Sequence, residues 1–477
     1  MHTRPVCALL LLVSAAPVVA GAECDWSQQC VEGTSKNRIH ERQAAGTLSQ
    51  ASAQPLLPVA QTGATIVTSA QTTTAAASPA APIAAATAGA TTAAATGDTS
   101  NPNAFNPSVS VILSGGYAHL SQDPASYRLS GYALGGDAGP GSRGFSLSES
   151  ELSLAANVDP YLAGALTVSM APDDTLSVEE AFFQTTALSD GLRLKGGRHF
   201  SGVGYLNEQH AHVWDFIDSP LAYRAFLGGQ FGDDGVQLRW LAPIDTYLDL
   251  GVEVGRGRGF PGSDSDRNGA GASAFYAHTG GDVGVGGSWR AGLSYLSASP
   301  RARESVGMSA GPEASRDLFT GASRLWIADF VYKWSPNGNP TRQNLKVQAE
   351  FFTRRETGTL VLDADGAAAV GPLAGDYRSQ QRGGYAQAVY QFMPRWSTGF
   401  RYDRLARGQI DFAAADPDTF APHFDPTRSS ALLQYAPSEF SRFRIQIAAD
   451  RSRPGVTDSQ VLINYQMSLG AHGAHNF

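Results

Sequence analysis

The chain from about residue 107 onward consists of short segments in which apolar and polar residues alternate. In the segment 345–351, Val347 and Phe351 fall on one face of an extended chain, and Lys346 and Glu350 fall on the other. This period of two arises because successive side chains of a β-strand point to opposite faces of the sheet. Glycine, proline, aspartate and asparagine separate the segments, as expected for turns. The pattern predicts an all-β protein.

About sixteen segments of this kind can be counted. They lie near 109–120, 145–158, 161–171, 177–188, 191–200, 234–242, 246–256, 272–280, 284–298, 322–335, 344–356, 380–393, 395–407, 426–437, 441–452 and 458–469. The connections after the even-numbered segments are tight, as at 159–160, 189–191 and 243–245, whereas most of the others are long. Outer-membrane barrels alternate short periplasmic turns with long external loops and have an even number of strands. The sequence therefore predicts a transmembrane antiparallel β-barrel of about 16 strands over 108–477, with both chain ends in the periplasm.

One face of these segments is apolar enough to contact lipid. In 326–334, every second residue is Trp, Ala, Phe or Tyr. A soluble sandwich would bury such a face, whereas an outer-membrane barrel turns it to lipid and sends the polar face to a wet lumen. Aromatic residues beside the short turns predict a girdle at the membrane interface, and the alternative is that they are ordinary core aromatics. These aromatic residues beside the turns are Tyr161, Trp334, Phe392, Trp396, Tyr435, Phe440 and Phe443. We therefore expect the cell outer membrane as the location.

The N-terminus has the pattern of an exported protein. Residues 1–22 combine a positive start, an apolar core and the small residues that a signal peptidase accepts. The short segment 23–43 carries Cys24 and Cys30, which we expect to form a disulfide in an oxidising compartment, with free thiols as the alternative. Residues 44–107 are mostly Ala, Thr, Ser, Pro and Gly, a composition with too little apolar bulk to fold, and they predict a disordered linker.

Charge and motif content argue against several classes of function. The net charge is −8, from 35 basic and 43 acidic residues, whereas a nucleic-acid binder needs a basic surface over the phosphates. The sequence contains no nucleophile elbow, phosphate loop or zinc-protease helix, so we do not expect an enzyme. The alternative is a barrel enzyme with its catalytic groups at the external rim.

The segment 201–235 interrupts the repetitive pattern. It is too long for a turn and too aromatic for a disordered loop, and long connections in compact proteins are usually functional. By the count of segments it is the third external loop. Its candidate functional side chains are Glu208, His210, His212, Asp215, Asp218 and Arg224.

The C-terminus resembles a known assembly signal. Residues 465–477 read Tyr-Gln-Met-Ser-Leu-Gly-Ala-His-Gly-Ala-His-Asn-Phe. A final strand that closes on a terminal Phe, here Phe477, resembles the signal for the barrel assembly machinery of Gram-negative bacteria. In this chain Gly, Ala and His replace the usual alternating apolar residues before Phe477, so the last strand is expected to end near Leu469 and leave a tail.

Over roughly 107–477 the layout is similar to that of the sixteen-stranded porins, of the general and phosphate-selective types. The stretches Gly-Arg-His-Phe-Ser-Gly-Val-Gly-Tyr-Leu-Asn-Glu-Gln-His at 197–210 and Leu-Gly-Ala-His-Gly-Ala-His at 469–475 look like a family of uncharacterised proteins sometimes labelled zinc-regulated TonB-dependent outer membrane receptors. TonB-dependent receptors consist of a plug domain followed by a barrel of about twenty-two strands. That number of strands exceeds the number of segments counted in this sequence. The porin resemblance implies passive diffusion of small hydrophilic or ionic solutes, and it allows a homotrimer.

The porin resemblance also implies a role for the third loop. In general porins this loop folds inward and sets the narrowest point of the pore. Its polar groups would then face lumenal bases across a constriction, an arrangement that selects among ions. The bases expected there are Arg193, Lys195 and Arg239. The alternative is a folded external cap held by Trp214, Phe216, Tyr223 and Phe226.

Metal binding is a second hypothesis for the same loop. His210 and His212, with Glu208, Asp215 and nearby His199, have side chains that suit Zn²⁺. Histidines at i and i+2 are expected to point the same way only on a strand. The alternative function is therefore a closed barrel that acts as a zinc-uptake accessory, a receptor or a surface adhesin. Paired aspartates in the external loops offer Ca²⁺ sites that would bridge lipopolysaccharide, or they are turn formers; the pairs are Asp264 and Asp266, Asp363 and Asp365, and Asp416 and Asp418. We expect no cofactor beyond these ions.

Overall fold

The computed structural model describes residues 107–135, 138–306, 316–366 and 371–470. The chain divides into a first unit, Met1–Ala80, and a second unit, Ala81–Phe477, that contains all of the described residues. The predicted signal peptide, the disulfide of Cys24 and Cys30, nearly all of the linker and Phe477 lie outside the described residues, so these expectations stay predictions.

The described residues form eighteen strands and one short α-helix. The strands are β1 (Ser108–Leu120), β2 (Gly144–Leu147), β3 (Ser150–Asn157), β4 (Leu162–Met170), β5 (Leu176–Thr185), β6 (Leu192–Phe200), β7 (Gly232–Leu241), β8 (Tyr247–Gly255), β9 (Ala272–Val283), β10 (Gly287–Ala298), β11 (Arg303–Val306), β12 (Arg316–Trp334), β13 (Asn344–Leu362), β14 (Leu373–Met393), β15 (Trp396–Phe412), β16 (Thr427–Ser438), β17 (Ser441–Arg453) and β18 (Val456–Gly470). The helix, α1, is Leu221–Leu227. In the part of the chain that the structure describes, no helix combines the length and the apolar character needed to span a membrane.

The strands close into one antiparallel barrel. β18 pairs with β1 from Ser110 opposite Gly470 to Leu120 opposite Gln460, so the sheet has no free edge. β2 and β3 both pair with β1, and β10 and β11 both pair with β12; each of these two pairs therefore occupies a single position around the barrel. Counted by position, the barrel has sixteen strands, which confirms the fold expected from the alternating pattern.

The two ends of the barrel differ in the length of their connections. Short turns join β3 to β4, β7 to β8, β14 to β15 and β16 to β17, the last two through two residues each. At the other end, long connections join β1 to β2, β6 to β7 and β8 to β9. We call these the short-turn end and the long-loop end. The connections 171–175 and 454–455 are short exceptions at the long-loop end.

Side chains alternate between lipid-facing and lumen-facing positions. On β13, which pairs with β12 and β14, Gln348 and Glu350 are buried, whereas Phe351 is 51% exposed. Trp326 and Phe330 on β12 are also half exposed. Such a surface, apolar outside and polar inside, is the one that a barrel presents to a bilayer. Tyr161, Phe440 and Phe443 are exposed beside the short turns, where the girdle was expected.

The interior is not polar throughout, because an apolar core fills one side of the lumen. All seven residues of α1 are buried. They pack against inward-facing Ile327, Phe352 and Leu405 of the wall, and against Leu129 and Tyr132 of the connection between β1 and β2. Tyr132 donates its hydroxyl hydrogen bond to the backbone oxygen of Ala406 at 2.6 Å. The expectation of a wet lumen therefore fails on the side of β9 to β15, where two long connections enter and exclude water.

Candidate functional site

The connection between β6 and β7, residues 201–231, lies inside the barrel, and we call it the lumen loop. It is the third connection at the long-loop end, and β7 begins at Gly232, slightly earlier than the sequence suggested. Within the loop, α1 begins after Pro220 and ends at Gly228, whose φ of +67° is the left-handed conformation that glycine tolerates. The first residue of α1, Leu221, donates a hydrogen bond from its backbone N–H to Asp403 on β15 at 2.9 Å.

The start of the loop is held by a buried carboxylate on β13. Glu350 accepts hydrogen bonds from the backbone N–H groups of Tyr205 and Leu206 at 3.0 and 3.2 Å. It also accepts hydrogen bonds from the hydroxyls of Tyr223 on α1 and Tyr385 on β14. One wall carboxylate thus fixes both the entry of the loop and its helix.

Asp218 lies among three arginines. Arg401 on β15 and Arg224 on α1 donate to it at 2.8 and 3.2 Å, and Arg428 on β16 forms a further ion pair with it. Burial by itself raises the pKa of a carboxyl group, but the positive charges of Arg428, Arg401 and Arg224 outweigh that effect and hold the pKa of Asp218 far below its usual range. Asp218 is therefore ionised and anchors the loop.

Other bases late in the chain hold the loop at its middle. Lys346 on β13 contacts Asp215 at 3.0 Å. On β17, Arg444 donates to the backbone oxygen of Trp214 at 2.9 Å, and Arg442 donates to the backbone oxygen of His212. A row of lumenal bases therefore binds loop groups rather than facing open solvent.

We call the wall formed by β3 to β8, which includes the strands from which the loop emerges, the near wall. The bases predicted there differ in their surroundings. Arg239 on β7 pairs with Glu208 of the loop at 2.7 Å and with Asp249 at 2.6 Å. Arg193 lines a cavity of about 270 Å³ that opens beside the turn between β5 and β6, together with Arg239. Lys195 is buried and lies 4.5 Å from the ring centre of Phe182.

The two loop histidines meet glutamates of the near wall. Nδ1 of His210 is 3.1 Å from Glu179 and its Nε2 is 3.0 Å from Glu180, both on β5. Nδ1 of His212 is 2.7 Å from Glu151 on β3. We call Glu151, Glu179, Glu180, His210 and His212 the glutamate–histidine cluster.

Burial and charge oppose each other at His210. Burial disfavours the imidazolium, but the hydrogen bonds with Glu179 and Glu180 and the charge of Glu151 outweigh it and raise the pKa of His210 well above its usual range. The cluster is therefore a place where a positive charge, from a proton or from another cation, is strongly stabilised.

Local backbone geometry explains the convergence of these side chains. His210 precedes a 3₁₀ turn, Ala211–Val213, and the two imidazole rings stack with their centres 5.6 Å apart. The expectation that histidines at i and i+2 align only on a strand is wrong, because this turn aligns them. On β5, the pairing with β4 shifts by one residue between Thr167 and Val168; Glu179 is the extra residue of this bulge.

His199 does not join the cluster. It is buried on β6, and its Nδ1 is 3.2 Å from the backbone oxygen of Gly197. Glu151 lies near His210 and His212 instead, and the nearest ligand atoms of these three residues are all within 4.8 Å of one another. Sequence reasoning missed the glutamates, although the alternation of 150–157 would have turned Glu151 toward the lumen.

The aspartate pairs of the long loops serve local contacts. Asp264 pairs with Arg256 at 2.6 Å. Asp416 accepts the backbone N–H of Asp418 at 3.0 Å, and Asp418 pairs with Arg407 at 2.8 Å. These contacts are typical of turns, and Ca²⁺ binding stays a prediction.

The closed barrel, its apolar outer face and its polar inner face define a β-barrel of the outer-membrane type. No protein-family model matches the chain. An uncharacterised protein of Aquifex aeolicus (strain VF5) is 30% identical over 402 residues, which cover 78% of this chain and 80% of that protein. The chain belongs to the family of this Aquifex protein.

Several solved outer-membrane proteins have a similar arrangement. A loop L8 deletion mutant of OmpT, an outer membrane protein of Vibrio cholerae, aligns with 77% of this chain and 100% of its own, at 9% identity and a TM-score of 0.48. The outer membrane channel DcaP of Acinetobacter baumannii aligns with 77% and 99%, at 12% identity and a TM-score of 0.44. An anion-selective porin from Comamonas acidovorans aligns with 76% and 99%, at 10% identity and a TM-score of 0.43. The fold assignment rests on the strand pairing of this chain alone.

Proposed function

We propose that the protein is a porin-like channel for small hydrophilic or ionic solutes, and that the lumen loop sets its selectivity. The observation that carries the proposal is the charge arrangement around the loop. Glu151, Glu179 and Glu180 lie on its near side. Arg401 and Arg444 lie on its far side. The arginines are engaged by loop groups, so the charges that a permeating ion would meet are those of the glutamates, and charged side chains that line a pore select among ions.

The path that we assign to solutes runs along the inner wall of β1, β3 and β4. This wall carries small polar side chains that are 5–9% exposed, among them Ser110, Ser114, Thr167 and Ser169. The apolar core around α1 lies on the side of β9 to β15, where passage of a hydrated ion would be costly. The polar wall together with the glutamates favours cations over anions.

Planar-bilayer conductance of the purified, folded protein tests this function. We expect discrete current steps with a reversal potential that indicates cation preference under a salt gradient. A protein that is folded, as judged by its resistance to SDS before boiling, and that gives no current would overturn the channel proposal. Homotrimer formation, contact with lipopolysaccharide and use of the barrel assembly machinery stay predictions.

The packed interior favours a second candidate, a closed barrel that binds rather than conducts. Phe226 and Tyr223 of α1 are fully buried, as are Ile327 and Phe352 of the wall. A receptor, a metal-uptake accessory or an adhesin needs no open path. Absence of current from folded protein would favour this candidate, and current steps would exclude it.

A further inference from the structure

We propose that Glu151, His210 and His212 form a binding site for a divalent transition-metal ion, Zn²⁺ in the first instance, inside the barrel. The site joins the lumen loop to β3 and β5. It does not depend on whether the barrel conducts, because binding requires only side chains of the lumen loop, β3 and β5.

The separations between the ligand atoms suit a tetrahedral ion. Atoms that bind zinc at about 2.0–2.1 Å in tetrahedral geometry lie about 3.3 Å from one another. Nδ1 of His210 is 3.4 Å from Oε2 of Glu151 and 3.1 Å from Oε2 of Glu179. Nδ1 of His212 is 2.7 Å from Oε1 of Glu151. Small side-chain shifts would bring the two imidazoles and Glu151 around one ion, with Glu179 as the fourth ligand.

One oxygen of the set has no hydrogen-bond donor. Glu151 is 3% exposed, and its Oε2 accepts no hydrogen bond from any residue that the structure describes. A buried carboxylate oxygen without a donor is costly unless a cation or another group compensates it. This oxygen points toward Nδ1 of His210, which is the place where the ion would bind.

The second ring nitrogen of His210 has the partner that metal-bound histidines usually have. Its Nε2 is 3.0 Å from Oε2 of Glu180. In metal sites, the histidine nitrogen opposite the metal typically donates to a carboxylate, which fixes the tautomer and the ring orientation. Glu180 is therefore a positioning residue, and Arg442 supports the site by holding the backbone oxygen of His212.

The donor chemistry selects the class of metal. Two imidazoles and carboxylates suit zinc and neighbouring first-row ions, whereas Ca²⁺ and Mg²⁺ prefer sites made of oxygen atoms alone. The net negative charge of three glutamates attracts a dication. We therefore expect Zn²⁺, Ni²⁺ or Co²⁺ to bind more tightly than Ca²⁺.

The test is metal content and affinity of the full-length, detergent-folded protein. Elemental analysis after dialysis against ZnCl₂ is expected to give about one ion per barrel. Calorimetry with ZnCl₂ gives the affinity, and the absorption of bound Co²⁺ reports coordination by nitrogen and oxygen. Replacement of a ligand, His212→Ala or Glu151→Gln, is expected to abolish this binding. Glu180→Gln is expected to weaken it by about 10–100-fold, as is typical for a residue that orients a ligand.

Matched controls separate this site from other donors in the chain. His423→Ala removes a histidine whose side chain is 73% exposed and should leave the affinity unchanged. A variant that combines Cys24→Ser, Cys30→Ser, His472→Ala and His475→Ala removes donors outside the described residues and should also keep the ion. Folded protein without bound zinc, or zinc that is lost in this combined variant and kept in His212→Ala, would overturn the proposal. Loss of this proposal by either result would leave the channel proposal standing, because conductance is measured separately.

Discussion

Arg401 on β15 donates from Nη2 to Oδ1 of Asp218 in the lumen loop at 2.8 Å, on the wall opposite the strands from which the loop emerges. β6 and β7 begin and end the loop, and seven or eight of the sixteen strand positions separate them from β15. The loop therefore spans the barrel, and its far anchor is a buried ion pair. Both partners are largely removed from water, with side chains 1% and 12% exposed.

Removing the charge of Asp218 should destabilise the protein. In Asp218→Asn, Arg401 and Arg428 lose their shared loop carboxylate, and breaking one partner of a buried pair costs about 3–5 kcal/mol. We expect about 3 kcal/mol, the lower end, because Asp403 still pairs with Arg401 at 3.0 Å. Urea unfolding in lipid vesicles measures the change in the free energy of unfolding.

An exposed pair provides the matched control for this measurement. Asp264→Asn removes an ion pair with Arg256 in which the side chains are 61% and 49% exposed. Surface pairs contribute about 0–1 kcal/mol. Equal losses in the two variants would contradict the assignment of Asp218 as a buried anchor.

The pH dependence of the Asp218 contribution has a defined sign. Because the pKa of Asp218 is lowered in the folded state, its stabilisation is fully present above the pKa of the unfolded chain, about 3.9, and is lost as the pH falls below it toward the folded value. The stability difference between wild type and Asp218→Asn should thus be constant from about pH 7 to 5 and shrink below about pH 4. A difference that shrinks already near neutral pH would contradict this assignment.

The barrel could be predicted from the sequence because its strands follow a local rule. On β13, the alternation of Gln348 and Glu350 with Phe351 is enough to predict strand, lumen side and lipid side. The parity of short and long connections adds the topology. Both signals come from residues that are close together in the chain, so they can be read from a single sequence.

The interior could not be predicted in the same way because its contacts join distant positions. Lys346 and Asp215 are 131 residues apart, and Arg444 and Trp214 are 230 apart. Nothing local indicates which base meets which loop group. The bulge at Glu179 is equally invisible to the alternation rule, since one extra residue reverses the expected side of a side chain.

The apolar core around α1 should control how firmly the loop is held. Phe226 is fully buried and stacks on Phe352 with ring centres 5.7 Å apart. Phe226→Ala removes a large side chain from a packed core and should cost about 3–5 kcal/mol. Because the loop then packs less firmly, single-channel recordings should show larger or noisier current steps.

A lipid-facing substitution separates loop packing from a general effect on the barrel. Val236 on β7 is 51% exposed on the outer face, so Val236→Ala should leave both stability and current nearly unchanged. Unaltered current steps in a destabilised Phe226→Ala protein would show that α1 supports the fold without limiting passage.

The glutamates of the near wall should give the channel its preference for cations. The double variant Glu179→Gln and Glu180→Gln removes two negative charges beside His210 while keeping the side-chain volume. Because a ring of carboxylates favours cations, the reversal potential under a salt gradient should shift toward anions. Recordings in a chelator keep metal binding from contributing. The control is Glu304→Gln, because the Glu304 side chain is 64% exposed and pairs with Arg316. This substitution should cause a much smaller shift. Equal shifts in the two proteins would indicate that surface charge at the rim, rather than the glutamates at the lumen loop, sets the selectivity.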